Sequence, residues 1–187
     1  AEKMKGDMTT EEVAKRVLQN FTEAIRYLYE NRYREFNNSY QLREFVEGVV
    51  KQINVGITKE EVLIRNGVDS TKFPYTKIAD LERAMSQFYD ELLRRLNGPK
   101  QDIEETAAYI EYHIDPIDHF FADGCGKAAK AISAWILMRG NHLLPYYRGR
   151  VEYYDNARLQ NLTDNSIIDE QRQWEQWLEY YKTLFQR

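Results

Sequence analysis

Apolar residues recurring every three or four positions constrain this chain more than any other feature of its sequence. Between Thr9 and Phe36, Val13, Val17, Phe21, Ile25 and Leu28 define one face of a long helix, with Thr9 and Glu12 spaced as a capping box at its start. The pattern returns after Ser39 in Leu42, Phe45, Val46, Val49, Val50 and Ile53 and stops near Gly56, a residue suited to a helix end. It returns after Pro74 in Ile78, Leu81, Met85, Phe88, Leu92 and Leu96, and once more from Ile103 through Ala107 and Ile110. Ala128 to Arg139 is apolar enough to be well buried. Val151 to Leu159 and Ile168 to Phe185 complete the series, the last with Trp174, Trp177, Tyr181 and Leu184 at helical spacing. A chain written this way is a mainly α-helical bundle.

One stretch breaks the period. Val62, Leu63 and Ile64 are strand formers, Asn66-Gly67 is a two-residue turn signal and Val68 to Phe73 reads as the returning arm, so residues 61–73 are predicted as one β-hairpin. A loop is expected around Asp115-Pro116, followed by a glycine-rich turn at Gly124 and Gly126. No internal repeat or linker tract interrupts the 187 residues, and a single domain is expected.

Composition removes several function classes. Lys and Arg number 26 against 30 Asp and Glu, a net charge of −4, so no basic field drives nucleic-acid binding. The Trp174 and Trp177 stripe, without accompanying cations, reads as core or a docking face rather than a base-stacking platform. No run approaches the roughly 18 apolar residues of a membrane span, and the opening AEKMKGDM has no signal-peptide core. The single cysteine, Cys125, makes no internal disulfide and fits a reducing cytoplasm; His113, His119 and His142 are too scattered for a structural metal cluster.

The chemistry is concentrated in His119-Phe-Phe-Ala-Asp-Gly-Cys-Gly-Lys127, which puts a base, a carboxylate, two glycines and a cation directly before a helix. Glycines let backbone amides approach a ligand, and a helix N-terminus presents unpaired N–H groups and partial positive charge, so the turn suits a phosphate. Asp123 is placed to hold Mg2+ against that phosphate or to cap the helix; Lys127 adds a point charge, and His119 is a candidate general base. Phosphoryl or nucleotidyl transfer is the reaction class these residue types point to.

This stretch resembles the Fic-family motif H-x-F-x-[D/E]-G-N-G-[R/K], matching it at His119, Phe121, Asp123, Gly124, Gly126 and Lys127. Arg150-Val-Glu-Tyr-Tyr-Asp-Asn-Ala157 is similar to the family's R-x-x-Y-Y-x-A segment, and the hairpin lies where the family carries a target-positioning flap. Cys125 stands in place of the usual Asn, and Lys127 and Lys130 in place of two arginines, which removes the bidentate guanidinium grip on phosphate oxygens. The resemblance implies a Fic-like core over residues 56–159, preceded by N-terminal helices over 9–55 and followed by a C-terminal helix within 160–187.

The same resemblance implies transfer of AMP from Mg-ATP to a Ser, Thr or Tyr hydroxyl of a target protein. His119 would act as base and Asp123 would hold Mg2+. The amides of Gly124, Cys125 and Gly126, together with Lys127 and Lys130, would bind the phosphates, and Tyr153 and Tyr154 would line an adenine pocket or simply pack. Ile64, Arg65 and Lys72 of the flap would dock the target segment. Reversing the nucleotide, as in the Doc-like branch, would transfer phosphate instead, and the replacements at Cys125, Lys127 and Lys130 keep open a module that binds nucleotide without turnover. Ser166 to Gln171 is similar to the family's inhibitory [S/T]-x-x-x-E-[G/N] pattern except that Gln171 replaces Gly or Asn, and Glu170 would have to pair with Lys130 in place of an arginine; otherwise inhibition, if any, would fall to an antitoxin-like partner protein.

Overall fold

The computed structural model of the chain describes residues 5–58, 63–98, 102–158 and 170–186. Seven α-helices carry the described fold: α1 (Thr10–Glu30), α2 (Ser39–Asn54), α3 (Ile78–Asn97), α4 (Ile103–Tyr112), α5 (Cys125–Arg139), α6 (Arg150–Ala157) and α7 (Glu170–Thr183). The mainly helical expectation holds. Among the described residues, no helix is long and apolar enough to cross a membrane.

Helix α5 is the centre because, after Lys127 and Lys130 in its first two turns, its sequence is almost entirely apolar. Ten of its 15 residues are buried, from Cys125 through Trp135 to Leu137, the state expected of a helix apolar round most of its surface. On one side it meets α1 and α2, and Trp135 shares one core with Leu28, Leu42, Phe45 and Val49 and with Met85 and Phe88 of α3. On the other it meets α4, beyond which α6 and α7 build a second core from Ala107, Ala108, Tyr153, Trp177 and Tyr181. Trp177 is fully buried and donates its indole N–H to the Ala108 carbonyl at 2.9 Å, so the tryptophan stripe serves as core at that position.

Several boundaries differ from the sequence expectation. Helix α1 ends at Glu30 rather than near Phe36, because the carbonyls of Asn31, Arg32 and Arg34 accept from Trp135 Nε1 and Arg139 Nη1, which turns the chain and drops Phe36 between Phe45 and Trp135. Helix α5 starts at Cys125, three residues earlier than Ala128, which brings Gly126 and Lys127 into its first turn. The expected loop at Asp115-Pro116 is a π-type turn, His113–Ile117. Pro116 has no N–H to continue the α ladder, and the Asp118 amide reaches back five residues to the His113 carbonyl at 3.2 Å.

The hairpin is the main correction. Residues 63–65 pair antiparallel with 120–122 of the motif, through Arg65 N–H to the Phe120 carbonyl at 2.9 Å and Ala122 N–H to the Leu63 carbonyl at 3.0 Å, with Ile64 opposite Phe121. The expected returning arm, 68–73, forms no strand. Ser70 Oγ accepts from the amides of Lys72 and Phe73, Asp69 Oδ1 accepts from the Ile78 amide at the start of α3, and Val68 is 91% exposed. Asp and Ser side chains there offer the backbone partners that compete with a ladder.

Candidate active site

Residues 120–122 of the motif lead into α5 through Gly124, whose φ of +75° is the left-handed conformation glycine tolerates. A Cβ at this position would lie 2.5 Å from Asn54 Oδ1, and the same Asn54 donates from Nδ2 to the Asp123 carbonyl at 3.1 Å, so α2 fixes the turn. No side chain caps α5. Its first-turn amides have no intrahelical partners and face a cleft of about 1030 Å³ lined by His119, Asp123, Gly124, Gly126, Lys127, Lys130, Arg150, Tyr153 and Tyr154. Helix α1 adds an apolar part to the lining, with Val17, Leu18 and Phe21. Helix α6 also starts uncapped, on Gly149, at the edge of the same cleft.

Cys125 lines this cleft, but its side chain is almost fully buried and turned into the loop. Its thiol donates to the Phe121 carbonyl at 3.2 Å and its sulfur accepts from the Phe121 amide at 3.3 Å, tying residue 121 to residue 125. Burial pushes the thiol pKa up, so the side chain stays neutral and serves the loop's shape.

His119 is held from every side. Its φ is +55°, rare for a residue with a Cβ, and its amide donates to the His113 carbonyl while its carbonyl accepts Arg65 Nε at 2.8 Å. The ring lies parallel to Tyr75, 4.1 Å between centroids. Nδ1 is 3.0 Å from the Asp115 carbonyl, an atom that can only accept, so Nδ1 carries the proton and Nε2 of the neutral ring keeps its lone pair. The Asp115 carboxylate adds a contact at 3.4 Å to Nδ1 and takes the Tyr154 hydroxyl at 2.6 Å. Burial pushes the Asp115 carboxyl up, but the contacts from His119 and Tyr154 outweigh it and the net shift is downward.

Asp115 and Glu111 are four residues apart and both face α6, where the consecutive Tyr153 and Tyr154 engage them separately. Glu111 is fully buried. It accepts hydroxyls from Ser133 at 2.6 Å, Tyr153 at 2.8 Å, Tyr181 at 2.9 Å and, closer still, Tyr147. Burial first, then the Glu111 charge, pushes the phenols of Tyr147, Tyr153 and Tyr181 up, which keeps them protonated donors. Lys130 Nζ sits over the rings of Tyr147 and Tyr153, 4.8 and 4.2 Å from their centroids.

Thus His119, Asp123, Gly124, Cys125, Gly126, Lys127, Lys130, Tyr153 and Tyr154 line one cleft. The flap residues separate. Ile64 pairs with Phe121 of the motif, Lys72 is exposed, and Arg65 turns its guanidinium onto the carbonyls of Thr76, Asp118 and His119. Glu170 does not line the motif cleft; it borders another of about 1300 Å³ with Tyr112, His113, Arg158 and Trp174, and Ser166 lies outside the described residues. Sequence reasoning missed Glu111, Asp115, Tyr75 and Tyr147 as site residues. Glu111 left a legible signal: it falls on the apolar stripe of Ala107, Ile110 and Ile114, where a carboxylate needs an explanation.

Among the described residues, no group of three or more His, Cys, Asp or Glu could hold a metal. One carboxylate is nevertheless what Mg2+ needs when phosphates supply the other ligands. Asp123 fits that demand: Oδ1 accepts the Gly124 amide at 2.7 Å, leaving its other oxygen for a cation at the cleft.

The seven described helices adopt a Fic-like fold, with this cleft at the start of α5. A solved structure with this fold is that of a Fic-domain-containing signalling protein of Bacteroides thetaiotaomicron, superposing with a TM-score of 0.63 at 17% sequence identity over 93% of this chain and 68% of that one. The sequence matches no family model and no curated protein.

Proposed function

We propose that the chain is a protein adenylyltransferase that moves AMP from Mg-ATP to a hydroxyl side chain of another protein. The observation that carries this reading is His119, with Nδ1 committed to the Asp115 carbonyl and Nε2 free beside an uncapped helix start. Nε2 takes the proton of the incoming hydroxyl, its oxygen forms a bond to the α-phosphorus, and the bond from that phosphorus to the bridging oxygen breaks as pyrophosphate leaves. The α5 amides and Lys127 stabilise charge developing on the phosphate oxygens, where preorganised donors contribute most. Asp123 would hold Mg2+, which would supply neutralisation of phosphate charge. The apolar lining of Val17, Leu18 and Phe21 suits the nucleobase end.

Target docking on residues 63–65 remains part of the proposal in altered form. The Leu63 carbonyl and Arg65 amide face the motif, so the Ile64 amide and carbonyl point to the other edge, where an extended target segment can add as a strand. Inhibition through Glu170 is not part of this reading, since that residue borders a different cleft; any inhibition would fall to an antitoxin-like partner protein.

The test uses ATP labelled at the α- or the γ-phosphate with cell extract as the protein source. Transfer of α-label, reduced roughly 100- to 10,000-fold in His119→Ala with MgATP binding retained, supports the reading. Transfer of γ-label alone overturns it in favour of a phosphotransferase; MgATP binding without either transfer points to a non-catalytic module.

A further inference from the structure

Glu111 is a buried carboxylate that the proposed chemistry does not use. Four parts of the chain converge on it: Ser133 of α5, Tyr147 of the segment before α6, Tyr153 of α6 and Tyr181 of α7. A carboxylate removed from water is costly, and its hydroxyl donors offset that cost only in a fixed arrangement. Tyr147 and Tyr153 also line the motif cleft, and their ring faces carry the ammonium of Lys130. A phenol that donates to an anion is polarised towards phenolate, which makes its ring face more negative and its grip on a cation stronger. One carboxylate therefore fixes both the position and the electrostatic character of the two rings under the lysine.

We propose that Glu111 is a positioning residue for the anion end of the cleft, acting through the ring faces of Tyr147 and Tyr153 on Lys130. This rests on the nucleotide reading for the identity of the anion, but not for the seating of the lysine. Lysine lacks the planar fork that lets arginine orient itself on a phosphate. In this chain the orientation is supplied by two rings, and the rings are oriented by Glu111. Tyr181 extends the same network to α7, so docking of the C-terminal helix and the geometry of the cleft share one carboxylate.

Two measurements on the intact chain test this. The first is the acylation rate of each lysine with an N-hydroxysuccinimide acetate reagent at low conversion, read by mass spectrometry with the exposed Lys51 and Lys77 as references. In Glu111→Gln the Lys130 rate is expected to rise about fivefold relative to both references, as the seat loosens. The second is MgATP affinity by calorimetry, expected to fall about tenfold in Glu111→Gln and to show no such fall when Lys130 is already methionine. If Glu111→Gln does not fold, as judged by circular dichroism, Tyr153→Phe keeps the ring, removes the hydroxyl and is expected to raise the Lys130 rate about twofold. An unchanged Lys130 rate in the folded variant overturns the proposal, and so does an affinity loss that persists without Lys130. A raised Lys130 rate in a protein that binds no MgATP leaves the seating intact and removes the nucleotide reading instead.

Discussion

The starts of α1 and α5 solve the same problem in opposite ways. At α1, Thr9 Oγ1 accepts the Glu12 amide at 3.2 Å and the Glu12 carboxylate accepts the Thr9 amide at 2.8 Å, a reciprocal cap that satisfies orphan donors from within the chain. Asn38 caps α2, Asp69 reaches the first amide of α3, and Asp102 caps α4. At α5 the equivalent position is Gly124, with no side chain to offer; its own amide donates to Asp123 Oδ1 at 2.7 Å, and the amides that follow lie at a cleft shared with Lys127, Lys130 and Arg150. A capped start contributes stability; a start whose first-turn amides lack a side-chain cap beside a cleft contributes binding, because the amides of Cys125, Gly126 and Lys127 are left for an anion.

Interfering with Gly124 breaks this contrast most severely. Gly124→Ala forces a Cβ onto a φ of +75° and against Asn54, which should cost about 1–2 kcal/mol in stability. It should also weaken MgATP binding at least about tenfold by shifting the anion-facing amides; calorimetry and denaturant melts read the two effects separately. At α4, Asp102→Ala removes both the cap and the partner of Lys182 and should cost about 1–2 kcal/mol near neutral pH. Burial raises the Asp102 carboxyl, but Lys182 and the amides of Glu105 and Glu104 outweigh it, so its pKa lies below the ordinary 3.8. Its ionic contribution is thus fully present above pH 3.8 and is lost as pH falls through the lower folded value, so the stability gap between wild type and variant should narrow only below pH 3.8. Thr9→Ala is the mildest change, expected to cost about 0.5–1 kcal/mol at every pH and to leave nucleotide binding unaltered. A Thr9 variant that lost binding would erase the distinction between the two kinds of helix start.

The hydroxyl-bonded core around Glu111 makes a second contrast, with the apolar core around Trp135. The Trp135 core was readable residue by residue, since Leu42, Phe45, Val49, Met85 and Phe88 sit at the positions their periodicity assigns. The motif cleft was largely readable too, because His119 to Lys127 are contiguous and their chemistry follows from spacing. Arg65 was not, as its guanidinium was expected to meet a target and instead fastens the backbone beside His119. Nor was the missing hairpin arm: Asn66-Gly67 is a true turn signal, with Gly67 at φ +89°, yet the strand before it finds the motif and the segment after it is held by Asp69 and Ser70.

The sequence by itself determined the helices, the central burial of α5 and the residue types gathered at its start, because periodicity and local spacing act over a few residues. Only the tertiary structure decided that residues 63–65 pair with 120–122, that Asp115 orients His119, and that Glu111 joins α4 to α5, α6 and α7. Those contacts join positions whose hydrogen bonds leave no local pattern: Glu111 meets Tyr181 across 70 residues, and only packing of the intervening helices brings the two side chains within bonding distance.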